Sequence, residues 1–182
     1  MAMAISVPLY TVDDLEHFPD DGNRYELLDG VLLVTPQAAA VHQVVANRIQ
    51  GELFVALQKP GLAHVVGPGA VVRMPNTQLQ PDILVYPSRF SPMTDWRKIT
   101  EHWLAVEILS RSSRIYDREF KRDAYFALGL PQVWLVDWRG ESVEVCTSSR
   151  KARVVRGTIR WRVAGTEVVI DLREVFAGLI EK

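Results

Sequence analysis

"LAVEILSRSSRIYDREFK" runs from Leu104 to Lys121, and its reading decides the fold. Leu104, Ala105, Val106, Ile108 and Leu109 make the near-continuous apolar run of a strand buried on both faces. Glu107 stands in the middle of it. A buried carboxylate without a partner is too costly to keep charged, so this residue requires compensation. Past the strand, Ser112 or Ser113 can cap a helix reaching about Leu128, with Gly129 and Pro131 to end it. "QVWLVDW", from Gln132 to Trp138, is a second apolar strand. Two such strands joined by a helix predict a parallel β-α-β unit.

Upstream, "RYELLDGVLLVTP" from Arg24 to Pro36 reads as a hairpin turning at Asp29-Gly30. Thr11 can cap a short helix through "VDDLEHF" that stops at Pro19. The longest helical pattern is "AAAVHQVVANRIQGELFVALQ", Ala38 to Gln58. There Val41, Val44, Val45, Ile49, Leu53 and Leu57 recur at spacings of three and four. Short strands are expected at 62–66 and 69–74. "QPDILVY" follows, a strand that opens on Pro81 and Asp82. Residues 87–102 form a long polar loop. Downstream, Arg139-Gly140 turns into "SVEVCT". Two more strands are expected near 152–156 and 159–170, then a helix from about Asp171. The expected architecture is one α/β domain of mixed α+β type over 1–182. It has a mixed central β-sheet flanked by helices, an N-terminal hairpin and C-terminal β-hairpins.

Composition limits the function classes. The chain has 182 residues, 48% apolar and 24% charged, which is ordinary for a globular protein. Cys146 is the one cysteine, so no internal disulfide forms and a cytoplasmic setting is expected. Alternating with Val143 and Val145, Cys146 has no positioned base and reads as inert. "MAMAISVPLY" lacks the basic lead of a signal peptide, and no apolar run approaches the roughly 18 residues of a membrane span. Net charge is −1 but uneven. Residues 150–162 carry Arg150, Lys151, Arg153, Arg156, Arg160 and Arg162 with no acid. Such a stretch either faces nucleic-acid phosphate, as expected for Arg153, Arg156 and Arg160, or guards a strand edge with charge. Trp161, between two arginines, is the better candidate for stacking on a base. Trp103, Trp134 and Trp138 read as core.

The chemistry gathers around Asp82 and Glu107. If their strands are neighbours, the two carboxylates converge at one end of a sheet and repel. Magnesium or manganese resolves that conflict, because such hard cations accept one or two carboxylates plus waters and phosphate. The carbonyl of Ile108 is a candidate further ligand. On the following helix, Arg114, Asp117, Lys121 and Tyr125 recur at spacings of three and four. If that side faces the strand ends, Lys121 reaches the site and would orient the attacking water or stabilise charge on the transition state, while Asp117 would hold Lys121 by an i, i+4 pair or contact the metal indirectly. Other readings stand beside these. Glu107 can pair with Arg24 or Arg114, Asp117–Lys121 can be a surface ion pair, and His42 can simply pack in the first turn of its helix.

The segments "RYELLDGVLLVTP", His42 ahead of a helix, "PDILVY" and "LAVEILSRSSRIYDREFKRDAYFALGLPQVWLVD" resemble the Uma2 family of restriction-endonuclease-like proteins. That family lies in the PD-(D/E)XK nuclease superfamily, and the likeness covers about Tyr10 to Val145. It implies a restriction-endonuclease-like core and magnesium-dependent phosphodiester hydrolysis at Asp82 and Glu107. The superfamily's lysine usually lies two residues after the second acid, a position held here by Leu109. The resemblance points instead to Lys121. It also matches Glu26 and His42 to recurring family positions, Glu26 resembling the extra N-terminal acid that some superfamily members contribute to the metal site. The functional reading of His42 has it contacting a phosphate or a metal-bound water. The chain departs from the family pattern at Ser110-Arg111-Ser112 and at Gln132-Val133-Trp134. The implied partner is nucleic acid, with DNA favoured over RNA, in a homodimer suited to cutting two strands. A nuclease-fold protein that binds nucleic acid or another partner without cutting is the rival reading.

Overall fold

The computed structural model describes residues 8–110 and 120–179. The parallel unit expected from the opening stretch is present. β7 (Leu104–Ile108) pairs in parallel with β8 (Val133–Asp137), with Glu107 opposite Leu135. They are the centre of a six-stranded sheet ordered β10-β9-β8-β7-β6-β3, in which every other pairing is antiparallel. Here β3 is Ala63–Val66, β6 is Ile83–Pro87, β9 is Ser142–Ser148 and β10 is Lys151–Val155. A second sheet, ordered β2-β1-β5-β4, is wholly antiparallel. It contains β1 (Arg24–Leu28), β2 (Val31–Thr35), β4 (Val71–Arg73) and β5 (Thr77–Leu79). The β1–β2 hairpin turns at Asp29 and Gly30, whose φ values of 49° and 84° are those of a tight two-residue turn.

The 159–170 segment differs from expectation. It is two strands, β11 (Thr158–Val163) and β12 (Thr166–Asp171), forming a hairpin of their own. Ala164 and Gly165, at φ 48° and 76°, supply the turn. Trp161 is correspondingly not a free stacking ring. It is 7% exposed and packs edge-on against Trp134 at 5.6 Å between ring centres. The alternation along β11 turns it inward and Arg160 and Arg162 outward.

Helix α1 (Ala40–Leu53) continues through a π-helical turn, Phe54–Gln58, and buries Val45, Ala46, Ile49, Leu53 and Leu57. These side chains lie on one face of the six-stranded sheet with Leu104, Val106 and Ile108. The same core takes in Ile159, Trp161, Val168 and Ile170 of the hairpin, and Leu172, Val175 and Phe176 of α3 (Leu172–Phe176). The opposite face carries Ala105 of β7, Leu109 just past its end, and Leu84 and Tyr86 of β6. Against them pack Tyr125 of α2 (Arg122–Ala127) and Val71 and Leu79 of the second sheet. Since strand side chains alternate, Glu107 points to this second face. So does Asp82, one step beyond the Ile83–Val106 pair and therefore opposite Glu107. Gly67 holds the chain close behind Asp82, because a Cβ there would lie 2.5 Å from the Asp82 carbonyl oxygen.

No helix among the described residues is long and apolar enough to cross a membrane. Just before β7, His102 is 7% exposed and its Nε2 has no hydrogen-bond partner among the described residues. Burial presses its pKa down to about 4 from the usual 6.5, against a small opposing pull from Glu101. Between those values the unfolded chain binds the extra proton, so stability is complete above about pH 6.5 and is lost on acidification toward pH 4. The slope contributed by this group should be about 1.4 kcal/mol per pH unit at most. Urea denaturation across pH 4–7 should show this slope in the parent, and His102→Leu should flatten it.

Candidate active site

Four segments bring the site together. Asp82 precedes β6, Glu107 lies on β7, Lys121 stands at the start of α2, and Arg24 and Glu26 lie two apart on β1. Two positions along a strand is one full period, so the last pair share a face. The question raised by Glu107 is answered inside the protein. Its Oε1 lies 3.3 Å from Lys121 Nζ and accepts a 2.6 Å hydrogen bond from the Tyr125 hydroxyl. Lys121 Nζ also lies 2.8 Å from Glu26 Oε2. The three side chains are 0–4% exposed, so an ammonium is sandwiched between two carboxylates away from water. Glu26 is fixed from behind, where its Oε1 accepts from the Gln80 backbone N–H at 2.7 Å.

Asp82 has separate anchors. Its Oδ1 accepts from Arg24 Nη2 at 2.9 Å. Its Oδ2 accepts from the Ile108 backbone N–H at 2.8 Å and lies 3.0 Å from His42 Nε2. Burial pushes this carboxyl upward, but His42, Arg24 and the Ile108 amide outweigh it and hold the group below the ordinary carboxylate range. Burial, reinforced by Glu107 and Glu26, drives the Tyr125 phenol well above its usual value, so it remains a hydrogen-bond donor. Arg24 also donates to the Gln80 carbonyl at 2.8 Å, so one residue's amide and carbonyl organise both Glu26 and Arg24.

A cavity of about 250 Å³ opens over these groups, lined by Arg24, His42, Asp82, Glu107, Lys121 and Trp138 among others. The structure thus gathers Glu26, His42, Asp82, Glu107 and Lys121 in one place. Ile108 contributes its backbone N–H to Asp82. Asp117 and Arg114 lie outside the described residues, and within them Lys121 is held by Glu26 and Glu107. Arg24 neutralises Asp82, where a pairing with Glu107 was one expectation. Arg153 and Arg156 are exposed on and beside edge strand β10, away from this cavity's lining, and Arg160 lies 3.3 Å from Glu167 on β12. Tyr125 and Gln80 were not singled out as site residues. The signal for Tyr125 was its i, i+4 relation to Lys121. Gln80 acts through its backbone, which no side-chain pattern reveals.

The sequence model of the family described as "Uma2: Putative restriction endonuclease" matches residues 12–178. The chain belongs to the Uma2 family. The match extends past Val145 and takes in both C-terminal hairpins. Among solved structures, it is similar to one described as "a putative nuclease belonging to DUF820" from Anabaena variabilis. The TM-score is 0.76 at 15% identity, covering 94% of this chain and 99% of the other. This likeness shows the fold, that of a restriction-endonuclease-like protein. No curated protein matches the chain. Uma2 membership implies a nuclease acting on nucleic acid, in a family that generally uses divalent metals.

Among the described residues, no group of three or more His, Cys, Asp and Glu side chains forms a ready metal cage. The carboxylates of Asp82, just ahead of β6, and Glu107, on the neighbouring β7, nevertheless suit a hard cation that needs only one or two such ligands. Lys121→Met should cost about 3–5 kcal/mol of folding stability, because it strands two buried carboxylates. Adding Glu107→Gln should recover part of that loss in urea denaturation, whereas equal stability of parent and Lys121→Met would contradict the pairing.

Proposed function

We propose that the protein is a metal-dependent endonuclease that hydrolyses phosphodiester bonds of nucleic acid, DNA in preference to RNA, at the Asp82–Glu107–Lys121 site. The observation that carries this reading is the placement of Lys121 Nζ 3.3 Å from Glu107, beside a cavity that also exposes Asp82. Asp82 and Glu107 are the carboxylates that would hold Mg2+ or Mn2+, with the Ile108 carbonyl as a further oxygen. The bound ion would supply a water of lowered pKa and offset phosphate charge. Lys121 orients the attacking water or stabilises the negative charge that grows on the phosphoryl oxygens. Glu26 holds the Lys121 ammonium in place and stands as an outer or alternative ligand. His42, in the first turn of α1, steadies Asp82 and faces the phosphate side of the cavity. A homodimer would let two such sites address the two strands of a duplex.

One observation favours a second reading, a nuclease-fold protein that binds nucleic acid or another partner without cutting. Protein groups already neutralise both carboxylates, through Arg24 and His42 at Asp82 and Lys121 and Tyr125 at Glu107. Cleavage assays on DNA and RNA with magnesium and manganese separate the two. Under the nuclease reading, Asp82→Asn and Glu107→Gln each abolish metal-dependent cleavage with unchanged circular dichroism. Equal cleavage by the parent and both variants would remove the site assignment, and no cleavage by any preparation would favour the binding reading.

The basic stretch would set affinity rather than chemistry. Arg153 and Arg156 are exposed, whereas Arg160 is engaged by Glu167. Each phosphate contact on B-DNA contributes about 0.9 to the slope of log affinity against log salt. Replacing Arg153 and Arg156 by alanine should therefore flatten the slope by about 2. Adding Arg160→Ala should change it little more. An unchanged slope, with altered solubility, would assign these charges to protection of the β10 edge.

A further inference from the structure

Arg24 occupies a position that its role as a counter-ion does not exhaust. Its guanidinium sits on Asp82 Oδ1, which among the described residues has this one polar contact, whereas Oδ2 is fixed by the Ile108 amide and His42. The Arg24 side chain is 21% exposed, against 5% for Asp82. It lies in the wall between two cavities. One is the 250 Å³ space over the carboxylates, and the other is a neighbouring groove of about 460 Å³. Thr35 at the end of β2 and Pro36, Gln37 and Ala38 of the β2–α1 connection line both as well, so the two spaces adjoin along this wall. In the groove Arg24 is the only basic side chain and Asp20 the only acid among the described residues. The rest is largely neutral and polar, including Gln37, Gln43 and Gln78.

A divalent ion on Asp82 Oδ1 would repel a guanidinium bonded to the same oxygen, because two positive charges so close are strongly unfavourable in a partly buried site. The free guanidinium remains charged and offers a fork of donors suited to phosphate oxygens. We propose that Arg24 is a metal-displaced phosphate ligand. It neutralises Asp82 in the metal-free chain. When a divalent cation takes Oδ1, it turns toward the groove and binds a backbone phosphate of nucleic acid. The inference rests on the reading of Asp82 and Glu107 as the metal-holding pair. It adds an order to that site: metal and nucleic acid bind with positive coupling, and each raises the affinity for the other by the same factor. It also assigns the groove beside Arg24 as the path of the strand flanking the scissile bond.

The test compares parent, Arg24→Met and Arg24→Lys by calorimetric titration with Mg2+ alone. Fluorescence anisotropy of a labelled DNA duplex, with and without Ca2+, accompanies it. Removal of the competing cation should tighten Mg2+ binding by Arg24→Met about tenfold, a gain of function that a merely structural role would not produce. Arg24→Lys keeps the charge but not the fork. It should tighten binding by a smaller factor, about threefold, and it carries the test if the methionine variant does not fold. In the parent, Ca2+ should raise DNA affinity by at least about fivefold, and Arg24→Met should lose that gain. If the parent binds Mg2+ and the variants bind it no more tightly, the displacement is overturned while the metal pair stands. If metal binding tightens but the gain in DNA affinity persists, Arg24 is not the phosphate ligand. If neither parent nor variants bind a divalent ion, the metal-holding reading of Asp82 and Glu107 fails, and this proposal with it.

Discussion

The Lys121 ammonium, enclosed between the carboxylates of Glu26 and Glu107, is the interaction on which the rest of the site depends. Each of the three side chains is almost fully removed from water. Any one of them alone would be intolerable there, since an unpaired buried charge costs far more than a paired one returns. The triad therefore ties three segments to a single geometry: β1 through Glu26, β7 through Glu107 and the start of α2 through Lys121. Tyr125, one helical turn beyond Lys121, adds a hydrogen bond to the same Glu107 oxygen. The second sheet and α2 are thereby docked on the central sheet by charge as well as by the apolar contacts of Leu79, Leu84 and Leu135.

Strand periodicity explains why the polar groups meet rather than scatter. Along β7 the even-numbered residues Leu104, Val106 and Ile108 enter the core under α1. The odd-numbered ones turn to the other face, and Glu107 goes with them. Antiparallel pairing with β6 sets Asp82 opposite it. One further alternation, on β1, turns Arg24 and Glu26 to the same side. The site is thus a polar break in an otherwise apolar interface between two sheets, placed where their strands end and a cavity opens. Asp82 is held below the ordinary carboxylate range by His42, Arg24 and a backbone amide, against the cost of its burial. A carboxylate kept ionised while buried suits cation binding.

The C-terminal region follows a different logic. β11 and β12 form a hairpin whose inner face completes the core beneath α1, with Trp161 against Trp134. The arginines that surround Trp161 in sequence are displayed on the outer face, and two of them meet Glu167 across the hairpin. The acid-free character of residues 150–162 is therefore a property of the sequence segment and not of the surface it forms. Arg153 and Arg156 are exposed and make no ion pair among the described residues.

By itself the sequence determined the elements and the anomalies. The Asp29-Gly30 hairpin, the amphipathic α1, the parallel β7–β8 unit and the unusual burial of Glu107 were legible. Each follows from period, turn chemistry and apolar content over a few neighbouring residues. The resemblance carried by the same segments named the family. What neutralises each buried acid was decided only by the tertiary structure. Arg24 and Asp82 are 58 positions apart, and Gln80 acts through a backbone N–H and carbonyl that every residue but proline offers. The choice of Lys121 and Tyr125 for Glu107, and of Arg24 and His42 for Asp82, depends on strand order and on how α1 and α2 dock. The turn at Ala164-Gly165, which makes two strands of one expected strand and buries Trp161, was likewise settled by packing. Alternating residues offer two faces, and only the core beneath them selects which one turns inward.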